Sequence, residues 1–528
     1  MKKKAFLSKV SGSVLALLLL TCNLVTAAPA EKHSYLVGLM PGASSKALSA
    51  PGIEMKEQWD NLGAMRIEAS ANAAQGLAHN PNVSYVEEDR VVHATSATGT
   101  SYTDGDLTWG LQAVNAQQAW NLGASGQTIK VCVLDTGIDY NHPEFNRNGT
   151  SVIKASKNFV KDKHRDATDG YGHGTHVAGT IVGQTANSGS RIGAAPNVDL
   201  FVARVLGDDG SGATSGIING LNWCQQNGAK IASLSLGSSQ GSKTEQKAFD
   251  QAYQNGMLSI AASGNDSGPI GYPAKYSSVV AVGAVDSNFN LASFSNYGAE
   301  QEVVAPGVGT LSSVPRGKGK KTSASENGTV YSSHELEYSG LGNVSGPLVD
   351  CGLADSTTSC ANKPASGAWI ALINRGSIAF SDKILNVTAQ GASAAIITNN
   401  DSVNADDPGS FTLGSAGNWI PAISVSYNGG VSIRAGGLGS ANVTVSAWDY
   451  SYFEGTSMAT PHVSAVAALA WSANPKLTNV DIRSILKKSA KDLGTAGWDS
   501  SFGYGIVQAD AAVKLANPNI AVKTAKAN

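Results

Sequence analysis

The sequence predicts an α/β fold in which helices cover both faces of a parallel sheet. From residue 128 onward, short runs of β-branched residues alternate with longer helical segments, which is the pattern of strands joined by crossover helices. The predicted strands span residues 128–134, 200–205, 230–236, 258–262 and 279–285. In such sheets functional residues collect at the carboxyl ends of the strands, so we expect the site there.

Length and composition limit the function classes. A chain of 528 residues predicts two to four domains. Charged residues make up 15%, against roughly 25% in ordinary globular proteins, and 59 glycines indicate many tight turns. The formal net charge of −2 gives no attraction to nucleic acid or to an anionic membrane.

The first 27 residues have the pattern of an export signal. Three lysines at positions 2–4 precede an apolar run over residues 14–20, and small residues follow, with a cleavage site near Ala27 or Ala28. A lipoprotein anchor at Cys22 is the alternative, although Thr21 is bulkier than the residue usually found before such a cysteine. We find no other run long enough to span a bilayer. We therefore expect a secreted, extracellular protein without membrane contact after signal removal.

Residues 31–95 are expected to form a small α+β unit. Residues 34–39 and 83–89 have strand patterns, and the Ala-rich residues 69–77 between them have a helical one. The position of this unit, between the export signal and the larger body, indicates a segment that folds with the body, blocks it and is later cut from it.

The cysteines fall into two groups. Cys351 and Cys360 lie nine residues apart in a loop-like stretch, and export makes a disulfide between them the expected state. Cys132 and Cys224 fall on a predicted strand and a predicted helix. We interpret them as buried small hydrophobes rather than as bonded partners.

Two candidate site residues follow the first predicted strand. Asp135 comes where that strand ends; its alternatives are a simple turn residue or a site built on Asp139, four residues further along. His173 opens a glycine-rich helix start. His173 and His176 could both bind zinc, but the glutamate of a metalloprotease helix is absent between them, so we expect no metal there.

Two further candidates lie late in the pattern. Asn265 follows strand 258–262 and is either a turn residue or a neutral hydrogen-bond donor at the same rim. Ser457 lies at the start of a helix that continues as the apolar run 463–471. There its hydroxyl is beside N–H groups without helical partners, although a helix cap would explain the serine equally well.

Four motifs in order resemble those of subtilisin-like serine proteases: Asp135 in Leu-Asp-Thr-Gly, His173 in His-Gly-Thr-His, Asn265 in Ser-Gly-Asn and Ser457 in Gly-Thr-Ser-Met-Ala-Thr-Pro. The resemblance covers residues 107–308 and 450–516 and implies a subtilisin-like three-layer sandwich. Residues 31–95 resemble the family's inhibitory propeptide. Residues 309–449 interrupt the match and resemble a protease-associated (PA) domain, with strands at 368–376 and 391–400 and a helix at 380–389. Residues 517–528 remain as a tail.

The resemblance implies a role for each motif residue. His173 takes the proton of Ser457, Asp135 orients the imidazole, and Asn265 with the Ser457 N–H holds the oxyanion. It leaves His176, His462 and Asp139 as structural residues.

Further positions follow from the same resemblance. Ser235, Leu236 and Gly237, together with residues 210–212, would pair with a peptide substrate. Gly264 would lie in one wall of the pocket for the residue before the cleaved bond (P1), and Gly271 in its floor, which favours a large apolar P1 side chain; Asp266 at the rim would tolerate a basic one.

Calcium is the one cofactor that the resemblance implies, and the chemistry itself needs none. Glu144 and Asn187 could supply oxygen ligands. The surrounding loop does not align with the family's calcium loop, so we interpret them as a surface glutamate and a loop asparagine and assign no metal ligand.

The function expected from the resemblance is a secreted serine endopeptidase made as a self-processing zymogen. Its partners would be protein and peptide substrates and its own propeptide, cut between residues 94 and 106. A catalytically silent binding protein is the alternative, against which the four intact motif residues argue. An esterase would have a Gly-x-Ser-x-Gly elbow, but Ala459 stands where the second glycine would be.

Overall fold

The computed structural model describes residues 31–48, 50–94, 97–98, 107–184 and 190–520. The predicted export signal, Cys22, Asn187 and the last eight residues of the tail therefore lie outside the described residues. Within the described ranges, no helix is both long and apolar enough to cross a membrane.

The N-terminal unit is a four-stranded antiparallel sheet with one helix. Its strands follow the order β2-β3-β1-β4. The helix begins after Ser70, whose hydroxyl accepts a hydrogen bond from the N–H of Ala73. The elements are β1 (His33–Leu39), β2 (Ile53–Trp59), β3 (Ala64–Ala69), α1 (Ala71–Leu77) and β4 (Val83–Glu88), with 3₁₀ turns at Ser45–Leu48 and Asp60–Leu62. Two short strands follow, β5 (Val91–Ala94) and β6 (Ala97–Thr98).

The body of the molecule is built on seven parallel strands in the order β10-β11-β7-β13-β15-β16-β17. The central strands are buried on both faces, which requires a cover of helices on each side. The elements up to the end of the sheet are α2 (Trp109–Ala113), α3 (Ala116–Asn121), β7 (Lys130–Asp135), β8 (Asn146–Arg147), β9 (Thr150–Ser151), β10 (Ile153–Asn158), α4 (His173–Val182), β11 (Asp199–Arg204), β12 (Ser211–Ala213), α5 (Thr214–Gln226), β13 (Ile231–Leu234), β14 (Leu236–Gly237), α6 (Lys243–Gln254), β15 (Leu258–Ala262), β16 (Val279–Val285), β17 (Gln301–Pro306) and β18 (Thr310–Ser313), with a 3₁₀ turn at Pro143–Phe145. The predicted α/β class with a parallel central sheet is confirmed.

Alternate residues of β7 face opposite helical layers. Val131 and Val133 pack toward α4 and the long C-terminal helix, whereas Cys132 and Leu134 pack toward α5 and α6. The sheet therefore has two separate cores, one on each face.

The two opposite faces of β7 bear on the prediction made for Cys132 and Cys224. Cys132 and Cys224 form a disulfide with their Cα atoms 5.8 Å apart; both are buried as expected, but the prediction that they are not partners is wrong. Cys132 points to the face that α5 covers, and Cys224 lies on the side of α5 turned toward the sheet. The predicted Cys351–Cys360 disulfide is confirmed, with Cα atoms 4.3 Å apart.

A second unit leaves the body after β18 and returns at β28. Its nine strands form a mixed sheet in the order β20-β19-β27-β22-β23-β24-β26-β21-β25. The predicted strands and the helix at 380–389 are confirmed. The elements are β19 (Gly319–Glu326), β20 (Thr329–Tyr331), β21 (Ser333–Glu337), β22 (Gly342–Asp350), β23 (Ile370–Asn374), α7 (Phe380–Ala389), β24 (Ala394–Thr398), β25 (Phe411–Thr412), β26 (Ala422–Val425), α8 (Tyr427–Ala435) and β27 (Ser440–Trp448). We call residues 314–449 the insert, because β18 pairs with β28 and so belongs to the body.

The chain ends with β28 (Tyr450–Glu454), α9 (Thr456–Ala473), α10 (Asn479–Ser489) and α11 (Ala509–Ala516). Helix α9 is buried along nearly its whole length, since Ala, Val, Ser and Leu occupy all of its sides. Pro461 inside it has no N–H, so the carbonyl of Ser457, four residues earlier, lacks its helical donor. The hydroxyl of Ser235 donates to that carbonyl instead, at 2.7 Å.

Candidate active site

A buried carboxylate and imidazole meet at the end of β7. Asp135 is the last residue of that strand, and His173 is the first residue of α4. His173 Nδ1 donates to Asp135 Oδ1 at 2.7 Å, and both side chains are fully buried. The N–H of Thr136 donates to the same carboxylate oxygen at 2.7 Å. The Nε2 atom of His173 has no hydrogen-bond partner in the described part of the chain, so this nitrogen is the one left for chemistry.

Asp169 fixes the start of α4, and sequence reasoning missed it. Its Oδ1 accepts from the N–H of Gly172 at 2.7 Å and from the Thr136 hydroxyl at 2.9 Å, and its Oδ2 accepts from the N–H of Thr175 at 2.9 Å. A buried carboxylate at a helix start also suits the positive end of the helix dipole. The available signal was an aspartate shortly before a predicted helix start.

The start of α9 lies against the start of α4. Phe453, four residues before Ser457, stacks on the ring of His176 with ring centroids 4.4 Å apart. Ser457, the second residue of α9, donates its hydroxyl to the carbonyl of Ser235 at 3.2 Å. In this structure, therefore, Asp135 and His173 are joined directly, whereas Ser457 is hydrogen-bonded to the strand segment beside them.

Asn265 is tied to the residue before the serine. Its Oδ1 accepts from the N–H of Thr456 at 2.9 Å and from the Thr456 hydroxyl at 2.8 Å. The N–H of Gly264 donates to the same hydroxyl at 3.2 Å. Because the amide oxygen is held by Thr456, the orientation of the amide NH₂ group is fixed as well.

The three residues interpreted as structural have other contacts. His176 Nε2 lies 3.0 Å from the carbonyl of Thr310, and burial lowers the pKa of His176 to about 3. His462 Nδ1 lies 2.8 Å from the carbonyl of Met458, and burial lowers its pKa to about 4. Both imidazoles are therefore neutral at ordinary pH. Asp139 accepts from N–H groups of its own loop and of Arg316.

The segments predicted to pair with substrate hold part of this chain instead. Strand β5 lies between β12 and β14 in a three-stranded antiparallel sheet, with Val92 opposite Gly212 and Ala94 opposite Leu236. The N–H of Ala94 donates to the carbonyl of Gly210 at 2.8 Å, and Val92 is buried. Two residues later, β6 pairs with β28.

The two glycines predicted for the P1 pocket have no room for a side chain. Gly264 has φ +114°, a conformation that disfavours other residues. A Cβ atom at Gly271 would lie 3.0 Å from the carbonyl oxygen of Ser238. Position 264 therefore requires glycine, and a side chain at position 271 would press on the backbone of Ser238.

Of the two residues named as possible calcium ligands, Asn187 lies outside the described residues, and the expectation of a surface glutamate at position 144 is wrong. The Glu144 carboxylate is buried and accepts from the Tyr450 hydroxyl at 2.9 Å. Among the described residues, the one group of ligating side chains close enough to share an ion is Asp162, His164 and Asp208. The Arg204 guanidinium already neutralises its two carboxylates, at 2.6 and 2.9 Å. Calcium stays a candidate without a ligand set.

Comparison with known proteins agrees with this geometry. The model of the subtilase family matches residues 126–337 and 358–505. Alkaline elastase YaB of Bacillus sp. (strain YaB) is 43% identical over 279 residues, which cover 52% of this chain and 68% of the elastase. Subtilisin amylosacchariticus of Bacillus subtilis subsp. amylosacchariticus is 35% identical over 298 residues, covering 54% of this chain and 74% of the subtilisin.

A solved structure is similar over most of the fold. It is the crystal structure of the psychrophilic subtilisin-like protease Apa1 from the Antarctic psychrotroph Pseudoalteromonas sp. AS-11, with a TM-score of 0.59 and 31% identity, covering 79% of this chain and 99% of Apa1. The chain belongs to the subtilase family, and it is a serine endopeptidase of that family.

Proposed function

We propose that this subtilase hydrolyses peptide bonds through Asp135, His173 and Ser457, and that it is made as a secreted zymogen that cuts itself. The observation that carries the proposal is the path of the chain's own segment. Residues 91–94 pair with the body on one side of Ser457, and residues 97–98 pair with the strand that leads into Ser457. Two extended segments of the chain thus lie on either side of the serine, each paired with the body as a peptide substrate pairs with a protease.

The chemical steps use the groups described above. The Ser457 hydroxyl turns away from the Ser235 carbonyl, gives its proton to His173 Nε2 and attacks the peptide carbonyl carbon. Asp135 keeps the Nδ1 proton in place and stabilises the imidazolium that forms. The Asn265 amide and the N–H of Ser457 stabilise the oxyanion. His173 then protonates the leaving amine, and water hydrolyses the acyl-enzyme by the same route in reverse.

Two carboxylates support the role of the N-terminal unit as an inhibitor. Glu87 accepts from the N–H groups of Lys243 and Thr244, each at 3.0 Å, at the start of α6. Asp89 accepts from the N–H of Ser215 at 2.9 Å, near the start of α5. Each carboxylate satisfies N–H groups that lack helical partners and lies at the positive end of a helix. Such contacts would hold the unit over the cleft after the chain is cut.

The two paired segments narrow the expected cleavage site. Ala94 is opposite Leu236, next to Ser235, and Ala97 is opposite Glu454, next to Gly455. Residues 95 and 96 separate the segments and lie outside the described residues. Counting toward Ser457 from both sides, we propose the bond between residues 95 and 96 as the one that is cut, within the range 94–106 expected from the sequence.

The remaining predictions form part of the same proposal. The predicted export signal supports secretion. The absence of side chains at positions 264 and 271 supports a P1 pocket open enough for a large apolar side chain. Peptide pairing through backbone groups supports broad specificity at the other positions.

The test is the full chain with Ser457→Ala. We expect it to keep its N-terminal unit and to lose casein cleavage by at least about 10³-fold, whereas the wild-type chain should yield a mature form beginning at residue 96, measured by intact mass. Ser464→Ala is the matched control, because Ser464 lies on the same helix and bonds to Ser233 at 2.9 Å, away from the site. Processing of the Ser457→Ala chain at the same bond, when it is purified alone, would refute the proposal.

A further inference from the structure

A cavity lies between the body and the insert, beside the strand that leads into Ser457. Its volume is ≈ 840 Å³. The body contributes residues 286–288, residues 291–294 and Glu454, and the insert contributes residues 403–407 with Ser332 and Ser410. The cavity is thus adjacent to β28 on the side where the chain continues after the proposed cleavage site.

Four carboxylates line this cavity without a counter-charge. They belong to Asp286, Asp406, Asp407 and Glu454, and the lining residues include no Lys, Arg or His. The three aspartates accept hydrogen bonds within their own neighbourhoods, from Asn290, Asn428 and Gly409. Within the residues that the structure describes, Glu454 accepts no hydrogen bond, and none of the four forms an ion pair.

A metal ion does not fit this arrangement. A bound ion would need at least three of these oxygens close together, and among the described residues only Asp162, His164 and Asp208 meet that distance. Carboxylates spread over the walls of a cavity suit the cationic end of a long side chain. Burial and then the charge of Asp407 raise the pKa of Glu454 to about 7, while the charge of His334 acts in the opposite direction. A cation bound beside Glu454 would favour its ionised form.

The chain's own strand β6 indicates how a peptide would pair with this edge of β28. In the antiparallel pair, Ala97 is opposite Glu454 and Thr98 is opposite Phe453. Residues directly opposite each other in such a pair have their side chains on the same face. The side chain of a substrate residue at the first of these positions therefore lies beside Glu454, and that of the next residue lies on the other face, where Phe453 stacks on His176.

We propose that the cavity is a subsite for the Lys or Arg side chain of the second residue after the cleaved bond (P2′), with Glu454 as its counter-ion. The proposal rests on the proposed function, because the cut between residues 95 and 96 makes residue 97 the P2′ position. A cationic side chain at P2′ extends from the substrate strand paired with β28 into the cavity, which Asp407 of the insert also lines. The insert thereby contributes to sequence preference after the cleaved bond.

The experiment compares internally quenched peptides that differ at P2′ only. One carries Lys, one Gln and one Glu, and kcat/KM is measured for the processed enzyme at pH 8 and low salt. We expect Lys to exceed Gln by about three- to tenfold and Glu to be the poorest. The Lys to Gln ratio should fall in 1 M NaCl and at pH 6, where Glu454 is protonated.

Two controls separate the subsite from general charge effects. A peptide with Lys moved to the third residue after the bond should show no preference over its Gln counterpart. Glu454→Gln should bring the Lys to Gln ratio to about one, whereas Asp401→Asn, which removes a charge from the same loop region but does not line the cavity, should keep the wild-type ratio.

The outcomes distinguish this proposal from the one it rests on. Cleavage of all three P2′ peptides at equal rates would overturn the subsite alone. Failure to cleave any of them would overturn the proposed function and the subsite with it. A Lys preference that survives in Glu454→Gln would overturn the role of Glu454.

Discussion

A single buried carboxyl group should make the stability of the uncut chain depend on pH. Glu245, near the start of α6, is 3% exposed and accepts from the Tyr276 hydroxyl at 2.8 Å. Burial raises its pKa from 4.5 to about 7; the hydrogen bond from Tyr276 opposes this, and the charge of Glu87 adds to it. Glu87 belongs to the N-terminal unit and disfavours the ionised form of Glu245, whereas Arg90 of the same unit favours it.

The sign and size of the effect follow from linkage. A carboxyl group whose pKa is raised in the folded state costs nothing below its ordinary value of 4.5. The cost grows as the pH rises toward 7 and is constant above it. The pKa of Glu245 rises from 4.5 to about 7. At about 1.36 kcal/mol per pKa unit, this rise lowers the free energy of unfolding at high pH by at most about 3 kcal/mol. Glu245→Gln cannot ionise and should remove this cost.

The assay is urea unfolding of the uncut chain, monitored by tryptophan fluorescence. Every variant also carries Ser457→Ala, which prevents processing. We expect Glu245→Gln to unfold at higher urea than its parent at pH 8 and at equal or lower urea at pH 4.5. Asp250→Asn removes a partly exposed charge from the same helix. It should shift the urea midpoint by the same amount at both pH values. An equal stability difference between Glu245→Gln and its parent at pH 4.5 and at pH 8 would refute the reasoning.

Two more predictions concern the covalent and modular organisation. Replacing Cys132 and Cys224 by alanine should lower the free energy of unfolding by about 2–5 kcal/mol, because their bond closes a long loop between sheet and helix; an unchanged thermal midpoint would contradict this. Since the N–H of Val314 donates to the carbonyl of Asp449 at 2.9 Å, a short glycine linker in place of residues 316–447 should leave the body folded. If the insert docks protein substrates, cleavage of a folded protein should then fall more than cleavage of a short peptide, and equal losses would rule docking out.

The sequence predicted best the elements whose pattern is set by burial alone. Strands β15 and β16 and helix α7 begin and end at the predicted residues, because apolar runs between turn residues leave little choice. Both edge strands of the sheet were missed: the buried strand β17 and, on the opposite edge, strand β10. None of the residues of β10 is fully buried, Lys154 and Lys157 are exposed, and its strand partner in this sheet is β11.

The candidate site divides in the same way. The approach of Asp135 to His173 could be predicted, because both lie at one end of parallel elements whose order the motifs indicate. The hydrogen bonds between Ser457 and Ser235 could not, because the two residues lie more than two hundred positions apart in the sequence. Predicting the Cys132–Cys224 disulfide would have required knowing that Cys132 lies on the face of β7 that α5 covers.

The place where the insert joins the body gives it a means of acting on the reaction. The insert leaves after β18 and returns at β28, and these two strands pair with each other. Strand β28 then carries Phe453 and Glu454 and ends three residues before the nucleophile that we propose. One edge of β28 pairs with β18, and the other edge pairs with β6, which follows the bond that we propose is cut. A shift of the insert would therefore move the surface on which the leaving part of the substrate lies, whereas β12 and β14, on the other side of Ser457, belong to the body. We thus expect changes in the insert to alter the preference for residues after the cleaved bond more than the preference for residues before it.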